Sequence, residues 1–171
     1  MRKAVERPSS PVQRFVMRRV WAMPSADTFD IPVIADFVKW RLKHSKCSID
    51  PYARNKRWAT YTNDLNPATA AEHHMDAEEF LSMLVNQGVT ADLVILDPPY
   101  SPRQIKECYD SIGLAMKQED AMGGATRKRR KALIEKLVPP GGEVLQFGWN
   151  TVGMGEGWTK EEILLVCHGS D

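Results

Sequence analysis

Asp97-Pro98-Pro99-Tyr100 is the segment of this chain with the most chemistry in it. Two prolines fix φ and remove backbone donors, a carboxylate precedes them, an aromatic ring follows, and the group stands directly after an unbroken apolar run. The turn is rigid by composition. Its exposed polar groups are mainly acceptors, because the Asp97 carboxylate and the Pro98 carbonyl can both receive N–H bonds while Tyr100 offers a flat face. An amino group on a planar ring fits that arrangement. A plain turn cap would account for Asp97 alone but not for its three neighbours, so the functional reading is favoured. Carboxylates recur at Asp50 and Asp64, each closing a short apolar run beside a turn, and at Asp76 ahead of an apolar-periodic stretch. Ordinary turn and helix-cap chemistry also explains Asp64 and Asp76.

Other chemistry-bearing groups are less specific. Arg127, Lys128, Arg129, Arg130 and Lys131 are five consecutive cations that fit a solvated helix face as well as a contact with phosphate. Trp149 suits a core or a base-stacking platform equally. His73-His74 and Cys167-His168 lack zinc-ligand spacing, so no metal is expected. The three cysteines are odd in number and contain no CxxC, which argues against a disulfide framework and for a reducing compartment.

The elements that must carry these groups alternate in type. Residues 30–43 predict a helix with Asp30 as N-cap, Pro32 in the first turn and Ile34, Phe37, Val38 and Leu42 at helical spacing. Short strands are expected at 47–49 and 57–62, each ending at a carboxylate and a turn. Asp76 opens a second helix with Glu79 as capping-box partner and Gly88 as terminator. Residues 91–96 form the clearest buried strand, running into the Asp-Pro-Pro-Tyr turn. Ser101 then caps a helix that has Pro102 at its first position and Gln104 three residues on. A loop holds Gly123-Gly124, a helix covers 126–137, and strands follow at 143–149 and 162–168. Strands alternating with helices imply an α/β domain with a mostly parallel sheet, which binds ligands at the carboxyl ends of its strands. Asp50, Asp64 and Asp97 all fall there.

Composition narrows the class. With 171 residues the chain makes one domain, and 43% hydrophobic with 26% charged residues is a globular rather than a disordered balance. A formal net charge of +1 excludes a global electrostatic grip on nucleic acid, so any polyanion must be met by local patches. Residues 1–20 read as a basic arm, with Arg2, Lys3, Arg7, Arg14, Arg18 and Arg19 against Glu6 alone; a solvated terminus is the better reading and DNA contact the minority one. No apolar run is long enough to span a membrane and no secretory signal is evident, so a cytoplasmic protein is expected.

Asp97-Pro98-Pro99-Tyr100 after a hydrophobic strand resembles the signature of S-adenosylmethionine-dependent amino-methyltransferases, above all adenine-N6 DNA methyltransferases. The likeness runs from about Trp21 to His168, and Trp21-Ala22-Met23-Pro24-Ser25, Asp50-Pro51-Tyr52-Ala53 and the segment from Asp97 to Gln104 together resemble the short adenine methylases of phages and mobile elements. The resemblance implies a methyltransferase domain over residues 21–171 with a Rossmann-like sheet. It places the cofactor's methionine end near Pro24 and Ser25, its loop at Asp50 and Tyr52, its ribose at Asp64 and its adenine at Asp76. Where the wider family carries Gly-x-Gly, this chain has Ala53-Arg54-Asn55-Lys56. The chain also ends soon after Cys167-His168-Gly169, where another strand is expected, so the expected sheet is incomplete at that edge.

The mechanism implied by this resemblance is simple in outline. Asp97 and the Pro98 carbonyl take the hydrogens of a poorly nucleophilic adenine amino group, with Pro99 holding the turn and Tyr100 stacking on the base. The base must be flipped or already single-stranded, and Arg127 to Lys131 would offset that cost by holding phosphate. A phage-encoded enzyme would work in the host cytoplasm. The segment between Tyr100 and Pro139 is too short for a target-recognition domain, so relaxed specificity, or readout shared with a second copy in a homodimer, is expected. Cytosine N4, an RNA base or a protein amide would suit the same turn, and a non-catalytic module of this fold is the rival outside enzymology.

Overall fold

The computed structural model describes residues 15–99, 101–113 and 124–169. Tyr100, the tip of the expected Gly123 loop and the first 14 positions of the expected basic arm lie outside the described residues. Six strands and four α-helices follow one another along the described residues: β1 (Val16–Trp21), α1 (Pro32–His44), β2 (Ser48–Asp50), β3 (Tyr61–Thr62), α2 (Ala77–Asn86), β4 (Leu93–Leu96), α3 (Pro102–Ser111), α4 (Gly124–Leu137), β5 (Glu143–Gln146) and β6 (Glu162–Cys167). Every pairing is parallel, in a four-stranded sheet of order β3-β2-β4-β5 and a two-stranded sheet of β1 and β6. The chain is thus a mixed α/β protein.

β4 explains the layering. Its four residues, Leu93 to Leu96, are all buried, and neighbouring side chains point to opposite faces of the sheet. Val94 and Leu96 join Ile49, Phe80, Leu81, Leu84, Ile134 and Leu137 in the core under α2 and α4. Ile95 faces the other way, into a smaller core with Phe29, Ile31, Ile34 and Val38 from α1 and the turn before it. Asp92 fixes the register by accepting from the Ser45 hydroxyl at 2.6 Å and from the Lys46 and Cys47 N–H groups at 2.9 and 3.0 Å. Burial works to raise the Asp92 carboxyl, but those hydrogen bonds outweigh it and hold the group below the usual carboxylate range.

Several expected boundaries move. Asp30 does not cap α1: Asp27 caps the short 3-10 turn Thr28–Asp30 by accepting from Phe29 N–H, Ile31 occupies the N-cap of α1, and Asp30 pairs with Lys56 at 2.6 Å. The strand expected at 57–62 shortens to Tyr61–Thr62. Ser48 and Thr60 exchange reciprocal bonds, each hydroxyl accepting the other's backbone N–H at 3.0 Å, and these side-chain bonds replace the ladder there. α2 matches its cap and terminator, with Asp76 accepting from Glu78 N–H at 2.7 Å and Gly88 at φ +70. α3 likewise has Ser101 bonded to Gln104 N–H.

Val16–Val20, read as the end of a basic arm, instead lie in a strand beside β6. Arg18 pairs with Glu162 across the ladder at 2.6 Å, and Arg19 lies over the Trp21 ring. Arg41 of α1 ties the two sheets together, reaching Glu143 of β5 at 2.8 Å and Glu162 of β6 at 2.9 Å.

Candidate functional site

β2 and β4 are sheet neighbours whose onward connections lead in opposite directions, one to β3 and one towards β5, so a crevice opens beyond their carboxyl ends. A cavity of about 390 Å³ lies there, in the range of small-molecule sites. Its wall takes Pro51, Tyr52 and Arg54 from the segment after β2, Asn63 and Asp64 from the end of β3, and Met75, Asp76 and Glu78 from the start of α2. Pro99 beyond β4, Ile105, Cys108 and Tyr109 of α3, and Thr126 and Arg130 of α4 close it.

Asn63 organises this wall. It is fully buried, its side-chain amide donates to the Pro51 and Met75 carbonyls at 3.1 and 3.0 Å, and its oxygen accepts from Met75 N–H at 3.1 Å. One side chain therefore joins the segment after β2 to the approach to Asp76. Residues 62–64 and 73 bond in parallel alongside it, so the segment before α2 runs as a rudimentary strand beside β3.

The acidic residues of the cavity fall into two groups, each with a guanidinium. Asp27 and Asp64 accompany Arg54. Asp64 accepts from Arg54 N–H at 3.1 Å with one oxygen and from Asn66 N–H at 2.9 Å with the other, which closes the loop over β2. Arg54 has φ +51, the left-handed region, and its guanidinium donates to the Ala26 carbonyl at 3.1 Å and lies 3.8 Å from Asp27. Asp76 and Glu78 accompany Arg130, which donates to the Tyr52 hydroxyl. Burial pushes the Tyr52 phenol up to about 12, against the lowering pull of Arg130.

Asp50 lies beneath the cavity rather than in its wall. It is 2% exposed and accepts from Tyr52 N–H at 3.0 Å. Burial, with added repulsion from Asp97, Asp64 and Asp27, pushes its carboxyl up to about 8, against the lowering effect of the Tyr52 bond.

The structure thus brings Tyr52, Asp64, Asp76 and Pro99 to one cavity, while Asp50, Asp97 and Pro98 stand outside its wall. It does not bring in Pro24 or Ser25: both are exposed, and Ser25 accepts weakly from Asp27 N–H at 3.3 Å. Asp27, two residues on, stands in the wall instead. Pro98 is half-buried next to Asp97. The run from Arg127 to Lys131 is not one cationic face, because successive helical residues turn about 100° apart. Arg127 donates to the Gly153 carbonyl at 3.0 Å, Arg129 pairs with Glu78 at 2.8 Å, Arg130 enters the cavity, and Lys131 donates to the Glu156 carbonyl at 2.6 Å. Lys128 is exposed.

Asp27, Arg54 and Asn63 escaped sequence reasoning. Among the described residues no group of three or more His, Cys, Asp or Glu could hold a metal ion, and no helix is long and apolar enough to cross a membrane. Comparisons of the chain with known protein families, with curated proteins and with solved structures find no match.

Proposed function

We propose that this chain is a compact adenine-N6 DNA methyltransferase with a Rossmann-like sheet, using S-adenosylmethionine as its methyl donor. The observation that carries the reading is the convergence of Tyr52, Asp64 and Asp76 on the cavity that Pro99 of the Asp-Pro-Pro turn also lines. The donor set suits the cofactor: carboxylates for a ribose diol and an ammonium, a guanidinium for a carboxylate, and Leu65, Met75, Ile105 and Tyr109 for a flat aromatic ring. Asp64 would hold the ribose hydroxyls and Asp76 the adenine edge. When bound, the cofactor supplies a methyl group activated by a sulfonium.

The rest is the work of the chain's own groups. Asp97 and the Pro98 carbonyl accept hydrogen bonds from the two N–H groups of the target amino group, which draws its lone pair out of conjugation and aims it at the cavity; as the nitrogen gains the methyl group and the thioether leaves, one of the two protons is released to solvent and the other N–H is kept. Pro98 and Pro99 keep both acceptors fixed, so little reorganisation is needed as charge develops. Tyr100 supplies the stacking face for the flipped base.

A titration with S-adenosylhomocysteine, the demethylated product, and a labelled-methyl transfer assay on DNA test this together. Asp97→Ala is expected to lose methyl transfer by at least about a hundredfold while still binding the product. Equal transfer by parent and variant would refute the assigned role of Asp97, and binding without transfer in the parent would leave the non-catalytic module as the better reading.

A further inference from the structure

We infer that Arg54 and Asp27 form the subsite for a zwitterionic amino-acid group, Arg54 taking the α-carboxylate and Asp27 the α-ammonium of the methyl donor. The inference rests on the donor assigned to this cavity above. Such a donor carries opposite charges at its amino-acid end, and that end needs partners of both signs.

Pro24 and Ser25, where the resemblance puts this end, stand outside the wall, whereas Asp27 and Arg54 line it. On this side the charges of the wall other than Arg54 are acidic, those of Asp27 and Asp64. A carboxylate entering there would meet repulsion unless a cation received it, and Arg54 is the cation grouped with these acids.

The backbone supports the assignment. A residue other than glycine held at φ +51 is strained, and glycine would relieve it. The strained position is held by Asp64 through Arg54 N–H and by the Ala26 carbonyl through Nη1. Those contacts leave the edge formed by Nε and Nη2 bonded to none of the described residues, and that edge matches a carboxylate with two parallel bonds. Asp27 spends one oxygen on Phe29 N–H and turns the other towards Arg54 at 3.8 Å, beyond hydrogen-bond distance, so the two charges are neighbours without being locked together.

Two probes isolate the subsite. S-adenosylhomocysteine carries the amino-acid end, and 5′-methylthioadenosine keeps the nucleoside and thioether but lacks it. By calorimetry the parent is expected to bind the first at least about tenfold more tightly. Arg54→Gly, which suits the left-handed backbone, should remove about that factor for S-adenosylhomocysteine and leave 5′-methylthioadenosine unchanged; Arg54→Asn, which also tolerates this conformation, should do the same. Asp27→Asn should show a smaller loss confined to S-adenosylhomocysteine. If the Arg54 variants weaken both probes equally, or neither, the subsite is wrong while the nucleoside cavity stands. If neither probe binds the parent, the donor assignment fails and the subsite with it.

Discussion

Asp50→Asn tests the electrostatics of the site without touching its shape. The Asp50 carboxyl is 2% exposed, and burial together with the charges of Asp97, Asp64 and Asp27 pushes it up to about 8. In the unfolded chain it titrates near about 3.9. Between those values the folded protein holds a proton that the unfolded chain has released. Stability therefore falls as pH rises across that window and is fully kept only below it. At about 1.4 kcal/mol per pH unit, the loss accumulated by pH 7 reaches at most about 4 kcal/mol, and relaxation of the loop reduces it to roughly 2–4 kcal/mol. Asparagine keeps the outline and can still accept from Tyr52 N–H, but it carries no charge. The variant should exceed the parent by no more than about 1 kcal/mol near pH 4.5 and by roughly 2–4 kcal/mol at pH 7, a rise of about 5–15 °C in midpoint for a chain of this size. Urea unfolding followed by tryptophan fluorescence from pH 4.5 to 9 reads this directly. Asp92 acts with the opposite sign: its lowered carboxyl adds stability above the unfolded value that is lost as pH falls through the folded one, and it is common to both proteins. Parallel stability curves for parent and variant across the whole range would refute the buried, proton-holding Asp50.

Further substitutions separate site from scaffold. Asp64→Ala should weaken S-adenosylhomocysteine binding by about tenfold or more, because it removes a diol partner and also releases the Arg54 and Asn66 N–H groups; Asp76→Ala should weaken binding less and lose about 1 kcal/mol of stability with the α2 cap, both read by calorimetry and thermal melting. Arg41→Ala should destabilise the fold by about 2 kcal/mol in urea titrations, less than for a fully buried pair because Glu143 is 40% exposed, and Glu162→Gln should recover part of that loss.

The sequence-legible elements are those whose signals are local. α3 is written in Ser101, Pro102 and Gln104, α2 in Asp76 and Gly88, and β4 in a run of apolar residues too short for a helix. β1 was illegible because Arg18 and Arg19 interrupt its apolar residues, and the Glu162 that answers Arg18 lies 144 positions away. The shortening of β3 has the same origin on a smaller scale, since nothing in residues 57–62 announces that Thr60 will exchange bonds with Ser48. The Asp27 cap was masked by Asp30, which stands in an equally good position by composition but is drawn off by Lys56.

The site divides along the same line. Asp64 and Pro99 follow strands and belong to strand-end logic, whereas Tyr52 and Asp76 entered the site through the family resemblance. Arg54 has no such marker: a left-handed position advertises itself in sequence through glycine, and this chain lacks one there. Arg130 is different, because its signal was present. It lies four residues before Ile134 and seven before Leu137, the two buried residues of α4, and so occupies the same helical stripe. Helical phase, applied to the cationic run in place of composition, sets Arg130 and Arg127 on the core-facing side and Lys128 and Arg129 away from it, and of the first two Arg130 is the one that meets the Tyr52 hydroxyl in the cavity.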